Sequence, residues 1–151
     1  MILLADQSFD PSALLVQFEQ GAHGAGAIAS FLGKVRARAG TEPVTGLTLE
    51  NHPVLTQRSV AEIAEGARAR WSLIDLLIVH RVGHVLADEP IVLVAAASIH
   101  RREAFVAVDF MMDHLKSTAY FWKKEYRSSG THWIEPRSGD REDLRRWTQQ
   151  D

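Results

Sequence analysis

The sequence contains no cysteine. Disulfide bonds are therefore excluded, and with them the small secreted scaffolds whose stability depends on disulfides. A metal site built from thiolates is excluded for the same reason. The chain also cannot carry sulfur as a cysteine persulfide, so any sulfur chemistry that it performs must receive the sulfur atom from another molecule.

The sequence also lacks a marked excess of either charge, with 17 Lys and Arg against 19 Asp and Glu and a formal net charge of −2. This disfavours a general nucleic-acid binder, which needs excess cations, so any anion site must be local. The apolar run over residues 91–97 is far too short to span a bilayer. Residues 1–9 show no signal-peptide pattern, and the sequence therefore predicts a soluble cytoplasmic protein.

Several signatures of catalytic and cofactor-binding sites are missing. The sequence contains no GxSxG, HExxH or strand-associated GxGxxG motif. Gly33-Lys34 is followed by Val35 rather than by Ser or Thr, which excludes a Walker loop. His80 and His84 are four residues apart, but they flank a predicted strand end rather than share a helix face. We therefore expect neither a metal site nor a bound cofactor.

The 151 residues, 46% of them hydrophobic, are enough for one domain with a packed core over residues 1–151. Asp10-Pro11 predicts the start of a helix that ends near residue 19. Apolar periodicity predicts long helices over residues 56–71 and 101–119, strands over 27–36, 44–50, 74–82 and 91–99, a hairpin over 121–127 and 131–136, and a terminal helix over 140–149 capped by Asp140. This mixed order of helices, strands and a hairpin indicates an α+β fold.

Basic residues His100-Arg101-Arg102 lie where a predicted strand passes into a predicted helix. Cations at a helix N-terminus oppose the helix dipole, whereas the free backbone N–H groups there favour anions. The cluster therefore indicates either a site for a phosphate or carboxylate, or a set of solvated surface charges. The sequence leaves both interpretations open.

Two further segments place lysines at the edge of predicted elements. Lys116 lies at the margin of the apolar stripe of the predicted helix over residues 101–119. There its amine is either partly desolvated, or its aliphatic stem covers apolar surface. Lys123 and Glu125 share one face of a predicted strand next to Trp122, whereas Lys124 points to the other face. They form either a surface pair or a pocket wall. If Lys116 and Lys123 share one pocket, at least one of their pKa values should fall. The predicted stripe consists of Phe105, Val108, Met112, Leu115 and Ala119.

Gly33-Lys34-Val35-Arg36 ends another predicted strand. A glycine inside a strand is typical of a bulge or of a close backbone approach, and the cations beside it can then reach a ligand. Arg137 adds a cation next to the predicted hairpin. Each of these signals is weak by itself.

Taken together, these segments resemble the large, catalytic subunits of molybdopterin synthases over nearly the whole chain. One stretch alone would be weak, but the order and spacing of all of them are specific. The matching stretches are Gly26-Ala27, Phe31-Leu32-Gly33-Lys34-Val35-Arg36, Leu47-Thr48-Leu49-Glu50, His80-Arg81-Val82-Gly83, Ser98-Ile99-His100-Arg101, Ala104-Phe105, Met112-Asp113-His114-Leu115-Lys116, Phe121-Trp122-Lys123-Lys124-Glu125 and Trp133-Ile134-Glu135.

The sequence departs from this family in two places. The position before Phe121 is often Pro in the family and is Tyr120 here. The turn between the paired strands usually carries Gly-Asp or Gly-Glu and here reads Ala87-Asp88-Glu89-Pro90. Both departures lie beside the matched residues, so they bear on loop geometry more than on activity.

The resemblance implies an α/β-hammerhead fold, with a mixed, mostly antiparallel sheet and two long helices. It implies a homodimer in which each large subunit binds a small ubiquitin-like sulfur carrier, giving a heterotetramer. The C-terminal glycine of the carrier, as a thiocarboxylate, enters a pocket of the large subunit. Two sulfur atoms pass to cyclic pyranopterin monophosphate and form the dithiolene of molybdopterin.

The resemblance also implies roles for individual residues. Lys116 and Lys123 are expected to be catalytic, with Glu125 orienting Lys123, and Arg137 is expected to reach the pocket across the dimer interface. Phe31 and Met112 are expected to line the pocket. Substrate-binding roles are implied for Lys34, Val35, Arg36, His100, Arg101, Lys116, Lys123, Lys124, Glu125 and Arg137.

Two other function classes compete with this interpretation. In the first, the same cations grip a phosphate or a partner's carboxylate in a non-catalytic adaptor domain. In the second, Trp122, Trp133 and the lysines bind single-stranded nucleic acid, which the net charge disfavours. Turnover with a thiocarboxylated carrier separates the enzyme from both.

Overall fold

The computed structural model describes residues 1–148 of the chain. Helices and strands alternate irregularly along it, which confirms the predicted α+β class. The helices are α1 (Pro11–Gly21), α2 (Pro53–Arg70), α3 (Arg101–Ser117) and α4 (Ser138–Arg145). The strands are β1 (Ile2–Ala5), β2 (Ala27–Lys34), β3 (Arg38–Ala39), β4 (Glu42–Asn51), β5 (Leu73–Arg81), β6 (Gly83–Leu86), β7 (Pro90–Ser98), β8 (Phe121–Arg127) and β9 (Gly130–Ile134).

The strands form two sheets. The first has the order β1-β5-β7-β2, in which β1 pairs with β5 in parallel and the other pairs are antiparallel. The second has the order β3-β4-β8-β9, is antiparallel, and has β6 added along β4. This is the mixed, mostly antiparallel arrangement that the resemblance implied.

The first sheet is covered on both faces, which explains why β5 and β7 are continuous apolar runs. Leu76 and Ile78 of β5 join the core cluster that contains the buried residues of α2 and α3. Leu77 and Val79 point to the opposite face, where Phe18 of α1 packs. The long helices therefore lie on one side of this sheet and α1 on the other.

The buried face of α3 differs from the predicted stripe. Phe105 is 63% exposed, whereas small residues on the neighbouring helical positions are fully buried. Small side chains allow a helix to approach a sheet closely, and the predicted stripe included the exposed Phe105 but omitted the buried Ala104 and Ala107. Ala119 lies beyond the end of the helix at Ser117. The buried residues of α3 are Ala104, Ala107, Val108, Phe110, Met111 and Leu115.

The terminal helix begins two residues earlier than predicted. Arg137 occupies its N-cap position, and Asp140 is its third residue, with a side-chain Oδ2 that accepts a hydrogen bond from the Arg137 backbone N–H at 2.9 Å. The prediction that Asp140 is the N-cap residue was therefore wrong by three residues. Its predicted end at Gln149 lies outside the described residues.

The bulge predicted at Gly33 is confirmed, because the pairing of β2 with β7 shifts register between Gly33 and Lys34. A Cβ at Gly33 would lie only 2.7 Å from Val92 Cγ1. The short strand β6 was not predicted. Within residues 1–148, no helix is both long and apolar enough to cross a membrane.

Candidate active site

Three cationic side chains, each from a different element, lie near the amine of Lys123. Lys123 comes from β8, Lys116 from the last turn of α3, Arg137 from the start of α4, and Arg36 from the segment after β2. Burial lowers the pKa of Lys123 most strongly, the charges of Lys116, Arg137 and Arg36 lower it further, and Asp140 acts in the opposite direction. The direction of this shift agrees with the predicted fall in a lysine pKa.

Asp140 is a residue of this cluster that the sequence did not identify. Its Oδ1 lies 3.7 Å from Lys116 Nζ, and its backbone oxygen accepts a hydrogen bond from Ser117 Oγ at 3.1 Å. The sequence indicated this carboxylate only as a helix cap. Its place beside two lysines depends on how α4 packs against α3, which no local pattern reveals.

A cavity of about 320 Å³ lies between β2, α3 and α4. It brings together three predicted site residues, Phe31, Met112 and Lys116. Carboxylates on α3 and α4 line it as well, so its wall carries both charge signs. The other lining residues are Ala29, Ser30, Phe105, Val108, Asp109, Asp113, Asp140 and Asp143.

A second cavity adjoins the first at the N-terminus of α3. It is lined by His100, Arg101, Arg102 and Phe105, and Phe105 also lines the first cavity. His100 is the N-cap residue, but its side chain makes no capping hydrogen bond. His100 and two arginines thus line one cavity at the N-terminus of a helix, an arrangement that suits a phosphate or carboxylate.

Val35 and Glu125 do not present their side chains as predicted. The Val35 side chain is 3% exposed and belongs to the core, so it cannot contact a ligand in either cavity. Glu125 Oε1 accepts a hydrogen bond from Arg127 Nε at 2.6 Å, so it pairs with Arg127 rather than with Lys123. The carboxylate that interacts with Lys123 is that of Asp140.

The remaining predicted cations are distributed over several surfaces. Lys34 is exposed at the end of β2. The ammonium of Lys124 lies 5.3 Å from the centre of the Trp133 ring, opposite it on β9, as expected for the other face of β8. The charge of Arg137 acts on Lys123 of the same chain, and its reach across a dimer interface stays a prediction.

His80 is a buried neighbour of this cluster that the sequence did not identify as a site residue. Its ring stacks on Phe121 with centroids 4.1 Å apart, and its Nδ1 lies 2.8 Å from the Arg81 backbone oxygen. Burial lowers the pKa of His80 to about 4, and the nearby charge of Lys123 acts in the same direction. The ring is therefore neutral near neutral pH.

This arrangement supports anion binding together with proton transfer or nucleophilic attack by an amine. The cations can hold an anionic ligand, and lowering the pKa of Lys123 increases the fraction of its amine that is neutral. An ammonium that stays protonated can stabilise negative charge that develops during a reaction.

Comparison with known proteins gives a consistent result. Residues 4–118 match the family model described as MoaE protein. The chain is 47% identical to the molybdopterin synthase catalytic subunit of Caulobacter vibrioides, over 99% of both chains, and 44% identical to that of Cereibacter sphaeroides, over 97% of this chain and 99% of the relative. The structure is similar to the molybdopterin biosynthesis MoaE protein of Burkholderia ambifaria, with a TM-score of 0.82, 38% identity and coverage of 98% and 97%. It is also similar to the molybdopterin synthase of Staphylococcus aureus, with a TM-score of 0.76, 25% identity and coverage of 88% and 94%.

Proposed function

The chain belongs to the MoaE protein family, and on this premise we propose that it acts as the catalytic subunit of a molybdopterin synthase, a sulfurtransferase of molybdenum cofactor biosynthesis. It transfers sulfur from the C-terminal thiocarboxylate of a small carrier protein to cyclic pyranopterin monophosphate, and so forms the dithiolene of molybdopterin. The observation that carries this proposal for the chain itself is the half-buried amine of Lys123 among other cations, one of which, Lys116, lines a cavity.

We assign the chemistry to Lys123 and Lys116. Because burial and neighbouring cations lower the pKa of Lys123, its amine can accept a proton or attack a carbonyl carbon more readily than an exposed lysine. Lys116 lines the cavity and pairs with Asp140, so its ammonium is held in place to stabilise negative charge. Asp140 joins the site residues as the partner of Lys116.

We assign binding of the anionic substrate to the surrounding cations. His100 and Arg101 line the cavity at the N-terminus of α3, where backbone N–H groups also favour a phosphate. Arg36 lies close enough to influence the Lys123 amine, and Arg137 does so from the start of α4. Phe31 and Met112 supply apolar wall to the adjoining cavity, which suits the flat ring system of a pterin.

The proposal includes a protein partner, because a chain without cysteine cannot hold the sulfur itself. We propose a small ubiquitin-like carrier whose terminal glycine, having no side chain, can enter the cavity. We further propose one catalytic domain over residues 1–151, a homodimer that binds two carriers, and a cytoplasmic location.

The test is product formation from cyclic pyranopterin monophosphate. We expect the dithiolene when the thiocarboxylated carrier is supplied, and no useful rate with free sulfide or with a carrier that ends in an ordinary carboxylate. Fast turnover with physiological sulfide and no partner would contradict the proposed donor. Tight binding of the carrier without any product would instead support the adaptor alternative, which the names of the relatives, all catalytic subunits, disfavour.

A further inference from the structure

A buried guanidinium lies at the end of β5. The Arg81 side chain is 5% exposed, and its Nη2 donates a hydrogen bond to the backbone oxygen of His84 at 2.8 Å. Its Nη1 lies 3.6 Å from Glu89 Oε2, and within residues 1–148 neither Nε nor Nη1 has a hydrogen-bond partner. Because an arginine stays charged in proteins, this guanidinium depends on Glu89 for charge compensation.

Glu89 in turn orders the turn that precedes β7. Its carboxylate oxygen Oε2, which faces Arg81, also accepts a hydrogen bond from the Leu86 backbone N–H at 2.9 Å. The Glu89 side chain thereby closes residues 86–89 into one unit. Within this unit Asp88 adopts a positive φ of 66°, a conformation that costs free energy in a residue other than glycine and that the surrounding contacts must hold.

The same turn binds the backbone of Val35 on both sides. The Val35 N–H donates to the Glu89 backbone oxygen at 3.0 Å, and the Asp88 N–H donates to the Val35 backbone oxygen at 2.8 Å. The pairing of β2 with β7 shifts register just before this point, so these two bonds fix the chain where the regular ladder is interrupted. The buried Val35 side chain adds a third constraint.

The position of Val35 determines where Arg36 emerges. Arg36 follows Val35 directly and lies close enough to Lys123 to influence its amine. A continuous set of contacts therefore runs from the Arg81 guanidinium through the Glu89 carboxylate and the 86–89 turn to Val35, and ends at a cation of the site.

We propose that Arg81 and Glu89 are positioning residues, which fix the 86–89 turn against Val35 and so hold Arg36 in place for the anionic substrate. This inference rests on the proposed function, in which Arg36 binds substrate. Neither residue contacts the substrate in this scheme; both act through Arg36.

Glu89→Gln is the test variant, because it removes the charge and keeps the size of the side chain. The matched control is Asp88→Asn, which makes the same change one residue away at an exposed position and keeps a side chain that tolerates positive φ. Since Asp88 contributes to the contact with Val35 only through its backbone N–H, the control should behave as wild type.

Two quantities are measured on each folded variant. The first is the rate of hydrogen exchange of the Val35 amide in the chain alone, which should increase severalfold in Glu89→Gln and not in Asp88→Asn.

The second is kcat/KM for cyclic pyranopterin monophosphate with thiocarboxylated carrier. Glu89→Gln should lower it by roughly tenfold or more, mainly by raising KM, because small misplacements of binding groups are costly. In an Arg36→Ala background the same substitution should have little further effect, since Arg36 is the residue through which it acts.

A second variant covers the case in which Glu89→Gln does not fold. The double variant Arg81→Met with Glu89→Gln removes the buried charge together with its partner, which is much less destabilising than removing one of them. It should fold and show the same faster Val35 exchange and the same rise in KM.

The outcomes separate this inference from the proposed function. Unchanged Val35 exchange in Glu89→Gln, or an equal loss of kcat/KM with and without Arg36, would overturn the positioning role. A wild-type chain that makes no product would overturn the proposed function, whereas the exchange measurement needs no substrate and would still decide whether the pair orders this segment.

Discussion

Lys116, Lys123 and Lys124 are close in sequence but lie in different surroundings. Lys116 lines the cavity, Lys123 is half-buried near the charges of Lys116 and Asp140, and Lys124 lies over Trp133 on the other face of β8. Replacing Lys116 or Lys123 with Ala should lower kcat by roughly 10²-fold or more, the scale of general acid–base catalysis. Lys124→Ala should have a much smaller effect, because its side chain points away from the cluster.

A single-turnover assay of the three variants provides the measurement, with thermal melts to show that each is folded. The melts should change little, since a lysine at the margin of a core contributes modestly to stability. Equal damage from Lys124→Ala and Lys123→Ala would mean that the assignment of faces is wrong. Near-normal turnover in both Lys116→Ala and Lys123→Ala would remove the catalytic assignment.

The lowered pKa of His80 predicts how the free energy of unfolding changes at acid pH. Its pKa is about 4 in the folded chain and returns to about 6.5 on unfolding, so between these values the unfolded chain binds a proton that the folded chain does not. The free energy of unfolding should therefore decrease as the pH falls from about 6.5 to about 4, by about 3 kcal/mol in total from this residue. Below that range the contribution should not change further.

Denaturant unfolding of wild type and of His80→Gln at about pH 7 and about pH 5 tests this. The difference between the two pH values should be smaller in His80→Gln by roughly 2 kcal/mol. His23→Gln, at an exposed position, is the control and should keep the wild-type difference. Identical pH dependence in wild type and His80→Gln would show that His80 is not the responsible group.

At the scale of helices and strands, sequence reasoning succeeded where one local rule decides the outcome. The cap at Asp10 follows from such a rule: its carboxylate accepts from Ser12 N–H, and proline follows at the first helical position. The bulge at Gly33 follows from a second rule, that a glycine inside a strand is typical of a bulge. No local rule predicts the burial of Ala104 and the exposure of Phe105, because packing of α3 against the sheet decides which face of the helix is covered. Strand β6 exists only because β4 lies beside it in the second sheet.

Helix α4 packs against α3 without burying any of its residues Ser138–Arg145, and the residues that follow it add further contacts. Trp147 is buried against Trp71 and Phe110, and its indole N–H donates to Asp113 Oδ2 at 2.7 Å. Arg146 Nη2 donates to the same oxygen at 2.6 Å. The place of Asp140 next to Lys116 therefore depends on contacts made beyond the helix as well as on the packing of α4 against α3.

We expect Trp147→Ala to lower the free energy of unfolding by about 3–5 kcal/mol, as is typical when a buried aromatic side chain is removed. Trp133→Ala is the matched control: its ring is largely exposed and contacts Lys124, so the loss should be about 1 kcal/mol or less. Denaturant unfolding measures both. Equal losses in the two variants would contradict the role of Trp147 in holding the end of the chain.

At the scale of the whole molecule, the cation cluster is a product of tertiary structure. Arg36, Lys116, Lys123 and Arg137 come from different segments, and the two sheets and the packing of α3 and α4 bring them together. The sequence alone showed that cations were present but not which of them lie together in the fold. The family resemblance supplied the choice of residues, and it paired Lys123 with Glu125. In the structure Glu125 pairs with Arg127 instead.

The assembly of the chain gives the last prediction. Large apolar side chains remain exposed on the edge strand β2 and on the second sheet, including Leu32, Trp122 and Trp133. Large apolar side chains exposed on a sheet are typical of an interaction site, and two-fold homodimers are the commonest assemblies. We expect light scattering of the chain alone, at micromolar concentration, to give about twice the 16.9 kDa of one chain. Reducing agents should not change this mass, because no cysteine is available to link the subunits.

Adding the carrier should increase the mass by two carriers per dimer. A mass of 16.9 kDa without the carrier would contradict the dimer, and a mass that doubles only when the carrier is added would show that the carrier, rather than the exposed apolar surface of this chain, joins the subunits.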